Sequence, residues 1–327
     1  MSNLNIIYFP SNKNYNPYNT RMQEIVEKAG VTPVGINSLL KPKTTLNVLT
    51  GTKNIFIFNW FEDYPFNSKG KLNPIKLFIY IFIIVYAKIF GRIIYIKHNL
   101  TKHNLDSKHK KSHALCQYLI EKIAAKTYVH SNTVAQENGY EYLPHPLYKT
   151  FNIRSETSEK KFLCFGMISR YKGYIELLEN WPQEYPLTIA GACTDLKLLT
   201  ELTEIADRRK MNLTIKNYSL SDRELELEIM NSIAIVLPHT SDSCIVSGAA
   251  YLAFSLGSLV LVRDSTLYKN IAEPTLTGLL NTESIRKLYV SAEETNSAKN
   301  KQQRLDYVRK KYSDTFIFEK IKQDLVL

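Results

Sequence analysis

Apolar residues fall along this chain in short blocks that alternate between strand-like runs and helical spacing. Leu4 to Pro10 is a compact apolar run that predicts a strand; a polar loop follows from Ser11 to Asn19, and Tyr18 to Ala29 has helical spacing closed by Gly30. Val31 to Ile36 and Asn54 to Asn59 predict two further strands, the second apolar throughout, as in a parallel sheet buried on both faces. Leu77 to Ala87 is eleven consecutive apolar residues between Lys76 and Lys88. A membrane-spanning helix needs about 20 such residues, so this run predicts a helix packed on the sheet, or one dipped into a membrane interface. Ile93 to Ile96 then predicts a strand running into Lys97-His98-Asn99, Leu115 to Lys126 a helix, and Thr127 to His130 a short strand.

Tyr142 to Tyr148 is extended and punctuated by Pro144 and Pro146, which places the expected domain boundary there, between residues 1–148 and 149–327. Beyond it the alternation restarts. Strands are predicted at Lys161 to Met167, Leu187 to Ala190, Leu213 to Lys216, Ala234 to Leu237 and Leu259 to Arg263. Helices are predicted from Gly173, and over Asp195 to Lys210, Asp222 to Asn231 and Gly248 to Leu256, with a charged helical tail from Ala298 to Val326. This pattern predicts an α/β protein of two doubly wound domains, each with its ligand crevice at the carboxyl ends of its strands.

A length of 327 residues suits two domains, and 44% hydrophobic with 22% charged residues argues against a disordered or multi-span membrane chain. The four cysteines are scattered without a C-x-x-C pair, so reduced core thiols of a cytosolic protein are expected. The opening MSNLNIIYFP has neither a basic n-region nor a long apolar stretch, and no cleaved export signal is expected. The formal charge of +11 is one-sided: residues 1–150 hold 19 Lys+Arg against 8 Asp+Glu, while residues 151–327 hold 23 of each. The first half is therefore expected to face something anionic, such as a membrane surface, a phosphorylated lipid or a nucleic acid.

Two loops after strands carry candidate chemistry. In Phe165-Gly166-Met167-Ile168-Ser169-Arg170-Tyr171-Lys172-Gly173, Arg170 and Lys172 stand before a helix start, where cations and free N–H groups together favour phosphate. In Pro238 to Ala250, His239 lies in a polar loop, Ser247 is a plausible helix cap, and Gly248 and Ala249 let a ligand approach the backbone. Neither G-x-G-x-x-G nor G-x-x-x-x-G-K-[ST] occurs, which counts against a Rossmann dehydrogenase and a P-loop NTPase.

The first of these loops, the Pro238 to Gly257 segment, Lys97-His98-Asn99 after a strand, and Pro144-His145-Pro146 together resemble GT-B glycosyltransferases. Among these, the chain is most similar to the bacterial exopolysaccharide and capsule enzymes of the xanthan-type mannosyltransferase kind. The resemblance implies two Rossmann-like domains facing a central cleft. It implies a nucleotide-sugar donor, GDP- or UDP-linked, on residues 149–327, and a polyprenyl-diphosphate-linked saccharide acceptor on a membrane-facing domain of residues 1–148, on which the last helix is free to pack back. The implied reaction is metal-independent hexosyl transfer to an O-antigen, capsule or exopolysaccharide intermediate, without a cofactor and without a nucleic-acid partner. The implied location is cytoplasmic, peripheral on the inner face of the plasma membrane.

Carried over by residue, Arg170 and Lys172 match the cations at the donor diphosphate, Ser247, Gly248 and Ala249 the helix start beside the phosphates and ribose, and His98 the histidine that approaches the donor sugar, with Asn99 after it. The E-x7-E motif common in retaining members is absent: its positions fall on Cys244 and Leu252. A base for an acceptor hydroxyl is sought in Glu62 and Asp63 of the loop NWFEDYP, or in His98, and Asn14, Tyr15 and Tyr18 in the first loop are candidate acceptor contacts. His103, His109 and His113 stand among five lysines, which argues against a bound metal ion. A sugar-nucleotide epimerase of the same architecture and a nucleic-acid-binding protein remain the alternatives.

Overall fold

The computed structural model describes residues 4–12, 16–42, 53–100, 105–150, 160–239 and 245–326. Among them every strand ladder is parallel, and the one antiparallel pairing is an isolated bridge between Phe66 and Leu72. The chain divides into two units: unit 1 is Met1–Pro146, Ser243–Val246 and Tyr312–Leu327, and unit 2 is Leu147–Asp242 and Ser247–Lys311.

Unit 1 runs β1 (Leu4–Phe9), α1 (Pro17–Glu27), β2 (Val34–Gly35), β3 (Lys53–Asn59), α2 (Pro74–Phe90), β4 (Arg92–Lys97), α3 (Lys110–Ile123), β5 (Lys126–Val129), α4 (Asn132–Asn138) and β6 (Glu141–Tyr142). Its sheet order is β2-β1-β3-β4-β5-β6. Asn16 and Asn73 cap α1 and α2, each followed by a proline whose missing N–H costs nothing in a first helical turn. Ile7, Phe56, Phe58, Ile93 and Tyr95 of the strands pack with Tyr80, Ile84 and Ala87 of α2 and with Cys116 and Ile120 of α3.

Unit 2 continues with β7 (Phe162–Phe165), α5 (Tyr174–Asn180), β8 (Leu187–Ala190), α6 (Leu196–Arg208), β9 (Leu213–Lys216), α7 (Asp222–Met230), β10 (Ala234–Leu237), α8 (Gly248–Ser255), β11 (Val260–Val262), α9 (Thr266–Ile271), β12 (Thr277–Leu279), α10 (Thr282–Val290), α11 (Ala292–Thr295) and α12 (Ala298–Lys311). Its sheet order is β12-β11-β10-β7-β8-β9. β7, β8 and β10 are buried along their whole length, as continuous apolar runs require when helices cover both faces. Cys116, Cys164 and Cys193 are buried free thiols.

Four details depart from the expectations. The strand expected over Val31 to Ile36 shrinks to β2, because Pro33 has no N–H for a ladder and a 3-10 turn takes over at Ile36. The tail breaks into α12 and α13 (Asp314–Val326), with Ser313 Oγ accepting from Phe316 N at 3.1 Å to start the second helix. The short edge strands β6 and β12 escaped the apolar pattern. The apolar run Leu77 to Ala87 lies within α2, and although it is apolar all round it is buried on one face only.

α13 belongs to unit 1 and is fastened there through Asp324, which is almost wholly buried. Arg92 Nη2 of β4 donates to Asp324 Oδ1 at 2.5 Å, and the Tyr128 hydroxyl of β5 donates to Oδ2. Lys126 stands 3.8 Å from the same carboxylate, and at the start of the helix Asp314 Oδ1 accepts from Arg21 Nη2 at 2.5 Å. Removing Asp324 takes away the acceptor of the buried Tyr128 hydroxyl and of Arg92, whose side chain, like that of Lys126, stays about a third exposed. A hydrogen bond to a charged group contributes about 1.5 to 3 kcal/mol. Asp324→Ala is therefore expected to lower unfolding free energy by about 2 to 3 kcal/mol in urea titration, whereas Asp314→Ala, which leaves Arg21 its second partner Glu24, is expected to cost under about 1 kcal/mol.

Candidate functional site

In each sheet the chain reverses its direction of strand addition once. In unit 1 the connection after β1 leads to β2 on one side, and the strands from β3 onward are added on the other. In unit 2 the same reversal falls between β7 and β10. Loops that leave neighbouring strands toward opposite faces open a crevice at their carboxyl ends, so these two edges are where ligands bind in such sheets.

At the unit 1 edge, β3 to β6 deliver polar or aromatic side chains as they end: Asn59 at the last position of β3 and Trp60 after it, His98 after β4, His130 after β5 and His145 beyond β6. Tyr18 of α1 sits among them, with ring centroids 4.6 Å from His98, 5.2 Å from His130 and 4.9 Å from His145. Trp60 adopts the left-handed region (φ 51°), which most residues avoid, and stacks on His98 with centroids 3.8 Å apart.

The hydrogen bonds fix the tautomers. Asn59 Nδ2 donates to Phe9 O at 3.1 Å, so its Oδ1 accepts from His98 Nε2 at 3.1 Å, and His98 Nδ1 keeps a lone pair. His130 Nδ1 donates to Leu143 O at 2.7 Å, so its Nε2 accepts from the Tyr18 hydroxyl at 2.9 Å. His145 Nδ1 donates to Pro146 O at 2.8 Å. Burial, and then the neighbouring imidazoles, hold His98 and His145 well below the ordinary 6.5, and burial lowers His130 to about 4. Three neutral imidazoles, an amide and a phenol thus form a buried, uncharged polar cluster at this edge.

The carboxylates of NWFEDYP serve another role. Glu62 is buried in the 3-10 turn Phe61–Asp63, with Oε2 lacking any hydrogen-bond partner. Burial and the adjacent Asp63 raise its pKa to about 8, so it holds a proton at neutral pH and is not a ready base. Asp63 Oδ1 pairs with His113 Nε2 at 2.8 Å, tying the turn to α3. Asn99 is half-buried directly after His98. Asn14, Tyr15 and His103 lie outside the described residues, as does Cys244. Among the described residues no group of histidine, cysteine and carboxylate side chains is placed to hold a metal ion.

At the unit 2 edge, β7 ends in Gly166 (φ +90°), and the following loop folds back so that Lys172 is buried with Nζ 3.5 Å from Phe165 O. Burial lowers Lys172 to about 8. Ser169 Oγ is buried in the same loop without a hydrogen-bond partner. Gly191, after β8, crosses so close that a Cβ there would stand 2.3 Å from Gly166 O. His239 follows β10, its ring 6.2 Å from that of Tyr171. Ser247 caps α8, with Oγ accepting from Ala250 N at 3.4 Å, and Gly248 and Ala249 open its first turn; a Cβ on Gly248 would stand 3.1 Å from the Tyr148 hydroxyl.

Arg170 is placed differently from Lys172. It is half-exposed, its Nε donates to Asp195 Oδ2 at 2.9 Å, and its two terminal nitrogens grip Glu201 at 2.9 and 2.7 Å. Asp195 is also the cap of α6, accepting from Leu198 N. Meeting a phosphate would require Arg170 to exchange these carboxylates for it.

Sequence reading missed Asn59, Trp60, His130 and Ser169. The signal was present for the first three, since each stands within a residue of a strand's carboxyl end. Ser169 is distinguished only by burial, which a sequence does not display.

Solved structures share this architecture. A glycosyltransferase from Rickettsia africae ESF-5 matches 99% of this chain and 98% of its own, with a TM-score of 0.67 at 12% identity. HepE of Anabaena, crystallised in complex with UDP, matches 98% of this chain and 99% of its own, with a TM-score of 0.66 at 11% identity. AviGT4, a glycosyltransferase involved in avilamycin A biosynthesis, matches 98% and 97%, with a TM-score of 0.58 at 10% identity. The two doubly wound α/β units therefore have the GT-B fold. No protein-family model and no curated protein matches the chain.

Two pH effects on stability follow. His130 titrates near 6.5 when unfolded and at about 4 when folded, so the unfolded chain binds the extra proton between those values. Its contribution is complete above pH 6.5 and is lost as pH falls toward 4, amounting to roughly 3 kcal/mol, and melting temperature is expected to drop across that window. Glu62 has the opposite sign: raised from 4.5 to about 8, it stabilises most below pH 4.5 and loses that contribution as pH rises through 8. Glu62→Gln is expected to raise melting temperature at pH 9 and to leave it nearly unchanged at pH 5; equal effects at both would refute the buried acid.

Proposed function

We propose that the protein is a glycosyltransferase that moves a hexosyl group from a nucleoside-diphosphate sugar to a lipid-linked surface saccharide, at a membrane surface and without a metal ion. The observation that carries this reading is the buried Lys172 amine at the strand-order reversal of unit 2. A buried ammonium needs an anion, and the N–H groups at the start of α8 supply a second source of positive potential at the neighbouring strand. HepE, of the same fold, binds UDP, which favours UDP over GDP as the carrier here.

In this reading the diphosphate lies on Lys172, Ser169 and the Ser247 end of α8, with His239 beside it. As the acceptor oxygen bonds the anomeric carbon, the bond from that carbon to the diphosphate oxygen breaks, and the departing oxygen's charge is stabilised by Lys172 and the helix end. Arg170 reinforces this by releasing Glu201 when the anion arrives. Tyr18 and Asn99 of unit 1 take the acceptor's hydroxyls, and Asn59, held to Phe9 O, orients the His98 ring. The proton of the attacking hydroxyl passes to the Nδ1 lone pair of His98, a better fit than protonated Glu62 or the Asp63 that is tied to His113.

Thermal stabilisation by a panel of UDP, GDP, CMP and their sugar conjugates tests the donor site, because a ligand that binds only the native state raises the melting temperature. UDP is expected to stabilise the protein, Lys172→Ala to abolish the shift, and Arg170→Ala to reduce it. The affinity for UDP is expected to weaken as pH rises through about 8, where Lys172 loses its proton. The reading fails if no nucleoside diphosphate at millimolar concentration shifts the melting curve, or if Lys172→Ala leaves the shift intact.

A further inference from the structure

α2 carries its apolar residues on two faces with different fates. Tyr80, Ile83, Ile84 and Ala87 are buried against the sheet. Ile75, Phe78, Phe82, Val85 and Ile89, at helical positions i, i+3, i+7, i+10 and i+14, form a stripe on the other face, with Ile81 beside it. Phe78 is 73% exposed, Ile75 72% and Ile89 67%, so this is a bare surface rather than a partly covered core. On α3, which packs beside α2, Leu115 and Tyr118 are exposed as well.

The stripe is framed by cations. Lys69, Lys71 and Lys76 are exposed around the N-terminal end of α2, Lys88 at its C-terminal end, and Lys108, Lys110, Lys111 and Lys122 on and before α3. Lys122 lies over the exposed Tyr118 ring at 5.6 Å, and Lys88 reaches Ile123 O at 3.5 Å. Between Asp63 and Asp106 the sequence has seven Lys and Arg residues and no Asp or Glu. Among the described residues no helix is long and apolar enough to cross a membrane, and α2, with 17 residues, would extend about 26 Å.

We infer that the exposed face of α2, with Leu115 and Tyr118 of α3, docks unit 1 onto an anionic lipid bilayer, the helix lying in the interface plane. The aromatic and branched side chains enter the boundary between headgroups and acyl chains, while the surrounding lysines keep their ammonium groups at the level of the lipid phosphates. Charge decides the occupant. A second copy would set the same lysines against one another, with no carboxylate between Tyr64 and Leu105 to answer them. An anionic bilayer supplies an apolar layer and a sheet of negative charge together. For its biological sense the inference rests on the lipid-linked acceptor proposed above, but its test reads vesicle binding and not sugar transfer, so the two ideas can fail separately.

The test is co-sedimentation of the full chain with vesicles of phosphatidylcholine containing one quarter phosphatidylglycerol, and with phosphatidylcholine alone, at low and high salt. Alongside it, size-exclusion chromatography with light scattering reads the oligomeric state, and thermal shift with UDP reads the donor site. The native chain is expected to bind the anionic vesicles, to bind neutral ones weakly, and to be released in part by salt. Phe78→Glu/Phe82→Glu is expected to lower vesicle partitioning by about tenfold or more. It should leave the melting temperature and the UDP shift unchanged, since both side chains point to solvent. Substituting Lys108, Lys110 and Lys111 with glutamine should weaken binding to anionic vesicles alone. Indifference of the native chain to anionic vesicles, or equal binding by the double variant, would overturn the inference. So would a native dimer that Phe78→Glu/Phe82→Glu converts to a monomer, which would make the face a contact between copies.

Discussion

A parallel sheet cannot be closed by hairpins: each strand must be followed by a segment that crosses one face and returns to the opposite end. Nearly everything in this chain depends on that constraint. It forces helices onto both faces, so strands such as β3 and β10 are apolar without alternation. It also sends every strand's carboxyl end into a loop on the same edge, and there the sequence can place polar residues without spoiling the core. Asn59 is the last residue of its strand, His98 and His130 directly follow theirs, and they meet because their strands are neighbours in register.

The two edges have opposite electrostatic character. In unit 1 the histidines are desolvated and held neutral, with each tautomer set by a carbonyl or an amide. In unit 2 the edge holds a buried amine and the capped start of a helix, both lacking an anionic partner among the described residues. Buried polar groups are retained in folds at a cost, and a site that binds its ligand's charge is one reason to retain them. The two edges thus differ in charge: unit 2 presents a buried cation beside a helix start, and unit 1 a cluster of neutral polar side chains.

The fold was largely legible in the sequence because parallel strands with both faces covered leave a strong mark. NIFIFN and AIVL are unmistakable, and the turn from strand to helix was visible in Gly166, Gly173 and Ser247. What stayed hidden depends on contacts distant along the chain. The pair β5 and α13 is joined by Tyr128 and Asp324, which are 196 residues apart, and nothing local marks either residue as a fastening. Glu62 looked like a base because it stands in an acidic turn after a strand, but burial and the adjacent Asp63 keep its carboxyl protonated at neutral pH. Arg170 and Lys172 looked equivalent; the structure separates them, since Asp195 and Glu201 reach only the first.

The charge asymmetry of the sequence finds its explanation in position. The excess of 19 basic over 8 acidic residues in the first 150 suggested an anionic ligand for that half, yet the described residues of the unit 1 edge present no exposed cation. Lys97, which ends β4, is buried and gives its charge to Glu121 at 2.8 Å. The exposed lysines gather instead around α2 and along α3, beside the bare apolar stripe. A charge used to hold a substrate would converge on a crevice, where low dielectric strengthens it. A charge spread around a convex helix face acts on an extended surface, and the sum of many weak, salt-sensitive contacts is how such a surface is held. The basic half is thus divided: its sheet edge is neutral, and its positive field belongs to the helices.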